Sequence, residues 1–164
     1  MIPAFASPSR CAPETTTSPL RRALEGVDAA VVEDLSLQGV VELRGDVDAV
    51  SPGVGDELVR LTPRRAFLFT DGDAADAVER AREAGALAYD ATGALAGMAI
   101  ADERVLRRLT DLELERIPTA GRFAKVHAIF RRGADGRTLV YVPQELGHYV
   151  AEAVLDALEG LVAE

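Results

Sequence analysis

The sequence of 164 residues contains no tryptophan, one cysteine (Cys11) and two histidines (His127 and His148). A single cysteine excludes both an internal disulfide framework and a zinc site built from cysteine ligands. Two histidines leave little material for a histidine-based metal centre. The side chains that most often carry metal or nucleophilic chemistry are therefore scarce in this sequence.

Long apolar runs and an excess of positive charge are also missing. No apolar stretch approaches the roughly 20 residues that a membrane-spanning helix needs. The formal net charge is −9, and an acidic surface repels a phosphate backbone, so we expect neither membrane insertion nor nucleic-acid binding. The single cysteine and the lack of an apolar signal segment favour a cytoplasmic protein.

The composition is otherwise that of a folded protein, with 48% hydrophobic and 27% charged residues. Four prolines interrupt residues 1–19. Because proline fixes φ and lacks an N–H donor, this segment is predicted to be an extended, flexible arm. Regular hydrophobic patterning begins at Leu20, so residues 20–164 form the predicted domain.

Hydrophobic periodicity and turn residues predict seven strands and four helices. The strands span residues 31–35, 40–43, 66–70, 86–89, 94–100, 123–131 and 138–142. A short helix is predicted over 57–61 and another after Asp102, and longer helices over 74–84 and 144–162. Asp73 and Asp102 are suited to cap the helices that follow them. The inner face of the last helix is predicted from its apolar spacing to be Leu146, Tyr149, Val150, Ala153, Val154, Ala157, Leu158 and Leu161.

The order of these elements predicts an α+β fold. From residue 66 the order is β-α-β-β-α-β, followed by a hairpin strand and a terminal helix. This order is typical of the ferredoxin-like motif, an antiparallel sheet with helices on one face. The N-terminal strands would extend or flank that sheet.

Two pairs of segments suggest an internal repeat. Residues 33–39, around Asp34 and Ser36, resemble residues 89–95, around Asp90 and Thr92, at an offset of about 56 positions. Residues 58–62 resemble residues 106–110 at a shorter offset. Because the two offsets disagree, a duplication would require insertions, and the sequence leaves duplication and chance both open.

No recognised catalytic or phosphate-binding motif is present. Asp71 and Asp73 could hold a divalent cation, but a turn and a helix cap explain them better. Ser36 lies beside Asp34, yet neither histidine is near it in sequence. We therefore predict no catalytic, cofactor-binding or metal-binding residue on this chain.

The remaining polar candidates are histidines and arginine pairs. His127 lies in a predicted strand and is predicted to be a rim or interface residue. His148 is predicted to be exposed in the first turn of the last helix, beside Glu145 and Glu152. The arginine pairs are expected to be solvated charges or the rim of a protein interface. They are Arg21-Arg22, Arg64-Arg65, Arg107-Arg108 and Arg131-Arg132.

Several segments together carry a resemblance to a known family. They are residues 61–69, residues 86–92, the Leu-x-x-Leu-x-x-x-x-Leu helix of residues 106–114 with Ile117-Pro118 behind it, and the final hairpin with Val142-Pro143 and the last helix. Residues 18–20 and 41–45 fit the same family's opening segments. In order and spacing this set resembles the γ subunit of heterotetrameric sarcosine oxidase, over most of residues 18–162.

The resemblance places the chain with the glycine-cleavage T protein and the folate-binding aminomethyltransferase-like domains. Sarcosine oxidase demethylates sarcosine oxidatively to glycine and passes the one-carbon unit to tetrahydrofolate. The resemblance implies that the partners are the larger subunits of a flavin-dependent amine oxidase complex. It also implies that tetrahydrofolate, FAD, FMN and NAD belong to those subunits, and that the γ chain has no recognised catalytic residue.

We therefore expect a non-catalytic small subunit that helps to assemble or stabilise the larger ones. The alternative is a free-standing folate-binding protein of the aminomethyltransferase type, in which an arginine or a carboxylate would grip the ligand.

Overall fold

The computed structural model describes residues 17–163, which form nine strands and three α-helices. The strands are β1 Val32–Asp34, β2 Gly39–Arg44, β3 Glu57–Thr62, β4 Arg65–Thr70, β5 Leu87–Asp90, β6 Leu95–Ile100, β7 Thr119–Phe123, β8 Val126–Arg132 and β9 Thr138–Pro143. The helices are α1 Ala74–Glu83, α2 Glu103–Leu109 and α3 Gly147–Val162.

The strands form two antiparallel sheets, one in the order β1-β6-β9-β8-β7 and one in the order β3-β4-β2-β5. The sheets pack face to face through an apolar layer that includes Phe69 and Tyr141. Helices α2 and α3 cover the outer face of the five-stranded sheet, and α1 covers that of the four-stranded sheet. The predicted α+β class and the antiparallel pairing are confirmed, but two sheets take the place of the single ferredoxin-like sheet.

Burial on both faces explains the second sheet. Strands β4, β6 and β9 are buried at nearly every position. A sheet covered on one face only shows alternating burial, whereas continuous burial requires a layer on each side. Here the helices supply one layer and the opposite sheet supplies the other.

Helix α1 forms as its sequence predicts. The Asp73 side chain accepts a hydrogen bond from the N–H of Ala75 at 2.9 Å, which satisfies one free donor of the first turn. Ala77, Val78 and Ala81 face the four-stranded sheet. The chain leaves the helix at Gly85, whose φ of 91° suits glycine.

Helix α3 begins later than predicted, and its inner face is rotated. The chain first makes a 3₁₀ turn over Gln144–Leu146. The buried face is Gly147, Val150, Ala151 and Val154, and a Cβ on Gly147 would lie 2.5 Å from that of Ala96 on β6. Leu146 and Tyr149, predicted on the inner stripe, are 38% and 49% exposed.

One further prediction is wrong. Residues 57–61 form strand β3 and not a helix, with Val59 in the layer between the sheets and Leu58 packed on the opposite side. This alternation has a period of two residues, as in a strand.

The strand predicted over 123–131 is present as β8, but it begins three residues later than predicted. Phe123 ends β7, and the turn residues Ala124 and Lys125, both with positive φ, join β7 to β8 in a hairpin.

The two halves of the chain share one topology. In residues 32–83, strands β1–β4 precede α1, and in residues 87–162, β5, β6, β8 and β9 precede α3. Strands β2, β4 and β3 are neighbours in one sheet, as β6, β9 and β8 are in the other. Each half places its first strand, β1 or β5, at the edge of the other half's sheet. The fold is an internal duplication with exchanged first strands, and the second half adds α2 and β7.

The two crossings between the sheets repeat the same hydrogen bonds. Asp34 accepts from the N–H of Ser36 at 3.0 Å, and Ser36 Oγ accepts from the N–H of Gly97 at 3.2 Å. In the second crossing, Asp90 accepts from Thr92 at 2.9 Å, and Thr92 Oγ1 accepts from the N–H of Val40 at 3.1 Å. The first predicted repeat is thus also a structural repeat. The second is not, because residues 58–62 lie in a strand and residues 106–109 in a helix.

The predicted arm, residues 1–19, lies outside the described residues except for its last three. There the Ser18 side chain donates a hydrogen bond to Asp34 and accepts one from the N–H of Leu20 at 3.0 Å. Leu20 is fully buried in the core beneath α3. The chain therefore enters the domain already attached to β1.

Candidate functional site

An open groove of about 620 Å³ lies between the two sheets. One wall comes from β3 and β4, and the other from β7, β8 and β9. The base of the groove is apolar, because Phe67, Ile129 and Tyr141 reach it from the buried layer between the sheets. The remaining lining residues are Leu61, Arg65, Leu95, Ala120, Gly121, Arg122, His127, Ala128 and Pro143.

The polar lining of this groove is basic. Arg65, Arg122 and His127 line it, and no carboxylate of the described residues does so. Arg65 is held in place, since its Nε lies 2.7 Å from Glu42 Oε1 and its guanidinium lies 5.6 Å from the centroid of Phe67. A groove of this kind is unusual in a chain with a net charge of −9.

Arg122 and His127 are directly opposite each other on β7 and β8. Opposed residues of an antiparallel pair project from the same face of the sheet, so both side chains line the groove. Neither forms an ion pair or a side-chain hydrogen bond with another residue between 17 and 163. Their donor groups are therefore available to an anion.

A second polar cluster joins the sheets beyond the groove. The Arg131 side chain is 7% exposed, and its Nε lies 2.6 Å from Glu57 Oε2. Its Nη1 lies 3.3 Å from Gln38 Oε1 and 3.4 Å from the Tyr141 hydroxyl. The guanidinium also stacks 4.3 Å from the centroid of Phe69. This cluster connects β8 and β9 of one sheet to β3 and β4 of the other.

Tyr141 is kept neutral in this cluster. Burial raises the pKa of its hydroxyl to about 12, and the nearby Arg131 charge opposes that rise only in part. The hydroxyl donates a hydrogen bond to Gln38. Every buried side-chain polar atom among residues 17–163 has a hydrogen-bond partner. We interpret the cluster as a structural connection and not as a reactive site.

The structure does not bring the sequence-predicted polar residues into one site. Ser36 is buried and bonded to Gly97. Asp73 caps α1, as predicted. His148 is exposed and lies 3.0 Å from Glu152, and His127 lies at the rim of the groove. Among residues 17–163, no three His, Cys, Asp or Glu side chains form a group that could hold a metal ion.

Sequence reasoning missed the role of two arginines. Arg131 was expected to be solvated, yet it is buried in the polar cluster. Its position in β8 directly after the apolar residues 128–130 was a signal, because an arginine inside a buried part of a strand must find a buried partner. Arg122 was not singled out, because the turn that places it opposite His127 lacks the usual glycine or asparagine.

No helix within the described part of the chain is both long and apolar enough to cross a membrane.

Comparisons with known proteins find a likeness among solved structures. No family model matches the chain, and neither does any curated protein. Among solved structures, the chain is similar to a chain of the heterotetrameric sarcosine oxidase from Corynebacterium sp. U-96, in complex with pyrrole 2-carboxylate. The TM-score is 0.73, the identity is 13%, and the likeness covers 88% of this chain and 95% of that one. At this identity the likeness concerns the fold, and the chain shares the fold of a component of heterotetrameric sarcosine oxidase.

Proposed function

We propose that this chain is the small, non-catalytic subunit of a sarcosine-oxidase-type complex. In this role it helps to assemble or stabilise larger subunits, which carry the oxidative demethylation of sarcosine to glycine and the transfer of the one-carbon unit to tetrahydrofolate. The flavins, the nicotinamide cofactor and the folate would reside on those larger chains.

The likeness over nearly the full length of both chains supports this proposal. The likeness covers 88% of this chain and 95% of the matched chain, so the matched chain is slightly shorter than this one. The likeness therefore extends over most of both chains. The resemblance of the sequence motifs supports the γ subunit as the counterpart of this chain.

The chemistry of the described residues is compatible with a non-catalytic role. The most buried polar cluster is satisfied by its own members. The basic groove offers binding groups, and its one histidine, His127, has no carboxylate in the groove to orient it as a general base.

Co-expression with the larger chains tests the proposal. The larger chains are those encoded beside the gene for this one. We expect a stable complex of defined stoichiometry by size-exclusion chromatography with light scattering. We also expect sarcosine-dependent oxygen consumption by the complex and none by this chain alone.

The same larger chains expressed without this chain are the control. We expect them to aggregate or to lose activity faster on heating, because assembly or stabilisation is the proposed role. If this chain stays monomeric beside them, or turns over sarcosine by itself, the proposal is wrong.

A further inference from the structure

The groove between the sheets has a lining that differs from the rest of the molecule. The chain carries 27 acidic and 18 basic residues, yet the groove combines two arginines and a histidine with no carboxylate of the described residues. Charge complementarity therefore favours an anion in this groove.

The charged side chains that line the groove indicate how much negative charge a bound ligand would carry. Arg65 shares the Glu42 carboxylate with Arg44, at 2.7 and 2.9 Å, so its charge is offset only in part. Arg122 has no charged partner among residues 17–163. His127, opposite it on β8, has at least one ring nitrogen that can donate or accept. One guanidinium suits one carboxylate, which it binds with two parallel hydrogen bonds.

The base of the groove indicates the rest of the ligand. Phe67, Ile129 and Tyr141 are 6%, 6% and 1% exposed and present apolar surface there. Phe67 and Tyr141 give the base of the groove an aromatic surface, which suits a flat apolar ring system. A volume of about 620 Å³ falls in the usual range for small-molecule sites.

We propose that the groove between the sheets binds a small organic monocarboxylate with a flat apolar body. The body lies against Phe67, Ile129 and Tyr141, and the carboxylate contacts Arg122 and His127. This site goes beyond the proposed subunit role, because binding takes place on this chain alone and does not require the larger subunits.

A titration of the ¹⁵N-labelled full chain with naphthalene-2-carboxylate tests this site. The neutral naphthalene-2-carboxamide has the same ring and is the matched ligand. We expect saturable amide shifts on β7, β8 and the first half of β4. We expect the carboxamide to bind at least about tenfold more weakly, since it cannot form the charge-assisted hydrogen bonds.

Two arginine variants separate the site from general charge effects. Arg122→Gln is expected to weaken the carboxylate about tenfold or more while leaving the affinity of the carboxamide unchanged. Arg60→Gln is the control, because Arg60 is an exposed β3 arginine paired with Asp48 and does not line the groove. Both variants are checked for a native amide spectrum.

Three results would overturn the proposal. The first is equal affinity for the carboxylate and the carboxamide, and the second is an Arg122→Gln variant that binds the carboxylate as the native chain does. The third is hexaglutamate displacing naphthalene-2-carboxylate at a lower concentration than the unlabelled carboxylate itself, which would assign the groove to an acidic protein segment. Failure of this site leaves the subunit proposal intact, because co-expression tests that separately.

Discussion

Arg131 shows, at the scale of a single residue, how one charged side chain can join two sheets. It contacts Glu57 on β3, Phe69 on β4 and Tyr141 on β9. A buried charge is tolerated only when its hydrogen bonds and its charge are compensated together. The sequence around Arg131 does not reveal these partners, because Glu57 lies 74 positions away along the chain.

Arg131→Ala should destabilise the protein by about 3–5 kcal/mol, because it leaves the half-buried Glu57 carboxylate without its partner. Arg60→Ala, which breaks the exposed pair with Asp48, should cost less than about 1 kcal/mol. Urea unfolding followed by circular dichroism measures both. Similar losses for the two variants would contradict a special role for Arg131.

Tyr141 should make stability depend on alkaline pH. Its pKa is about 12 in the folded chain, against about 10 when unfolded. The unfolded chain therefore loses this proton first, so the contribution of Tyr141 to stability is constant below pH 10 and falls as the pH rises from 10 to 12. The full loss is about 2–3 kcal/mol.

Unfolding curves at pH 9 to 11.5 measure this slope. Tyr141→Phe should flatten it, although that variant also loses the hydrogen bond to Gln38 and starts from a lower stability. Tyr89→Phe changes an exposed tyrosine and should keep the slope. A slope that survives in Tyr141→Phe would show that other groups produce it.

At the scale of the elements, local signals predicted the helices better than the strands. Asp73 and Asp102 both cap helices, and each accepts from the backbone N–H two residues later. A cap depends on its own residue and the next turn, so a short stretch of sequence reveals it. In contrast, β3 was interpreted as a helix, because its short apolar pattern suits both structures and only pairing with β4 decides.

Asp73→Ala should cost about 1 kcal/mol, because the N–H of Ala75 loses its acceptor. Asp76→Ala is the matched control, since Asp76 lies in the first turn of the same helix without being its cap. The stability lost in Asp76→Ala should stay within a few tenths of a kcal/mol, because only the interaction with the helix dipole is removed. Thermal unfolding compares them, and equal losses would mean that the cap contributes little.

At the scale of the whole molecule, the sequence predicted the class of fold but not its layering. The antiparallel α+β order follows from local patterns of apolar and turn residues. The number of sheets depends on where each strand finds its partners. Strands β1 and β6 are paired although 60 residues lie between Asp34 and Leu95, and that long-range pairing leaves no local signature.

The exchange of first strands predicts that the chain can be divided after Gly85, an exposed glycine between α1 and β5. Residues 1–85 and residues 86–164 should each remain unfolded when expressed separately, because each lacks an edge strand that the other supplies. Co-expressed, they should form a one-to-one complex with a native amide spectrum. A first fragment that folds as a monomer would contradict this interdependence.

Because β1 and β5 occupy equivalent places in opposite sheets, a half-length polypeptide could build the same core by lending its first strand to a second copy of itself. Gene fusion of such a homodimer would leave the Asp-x-Ser and Asp-x-Thr crossings as its trace. It would also free the fused halves to diverge, so that one acquired α2 and β7 and, with β7, part of one wall of the basic groove.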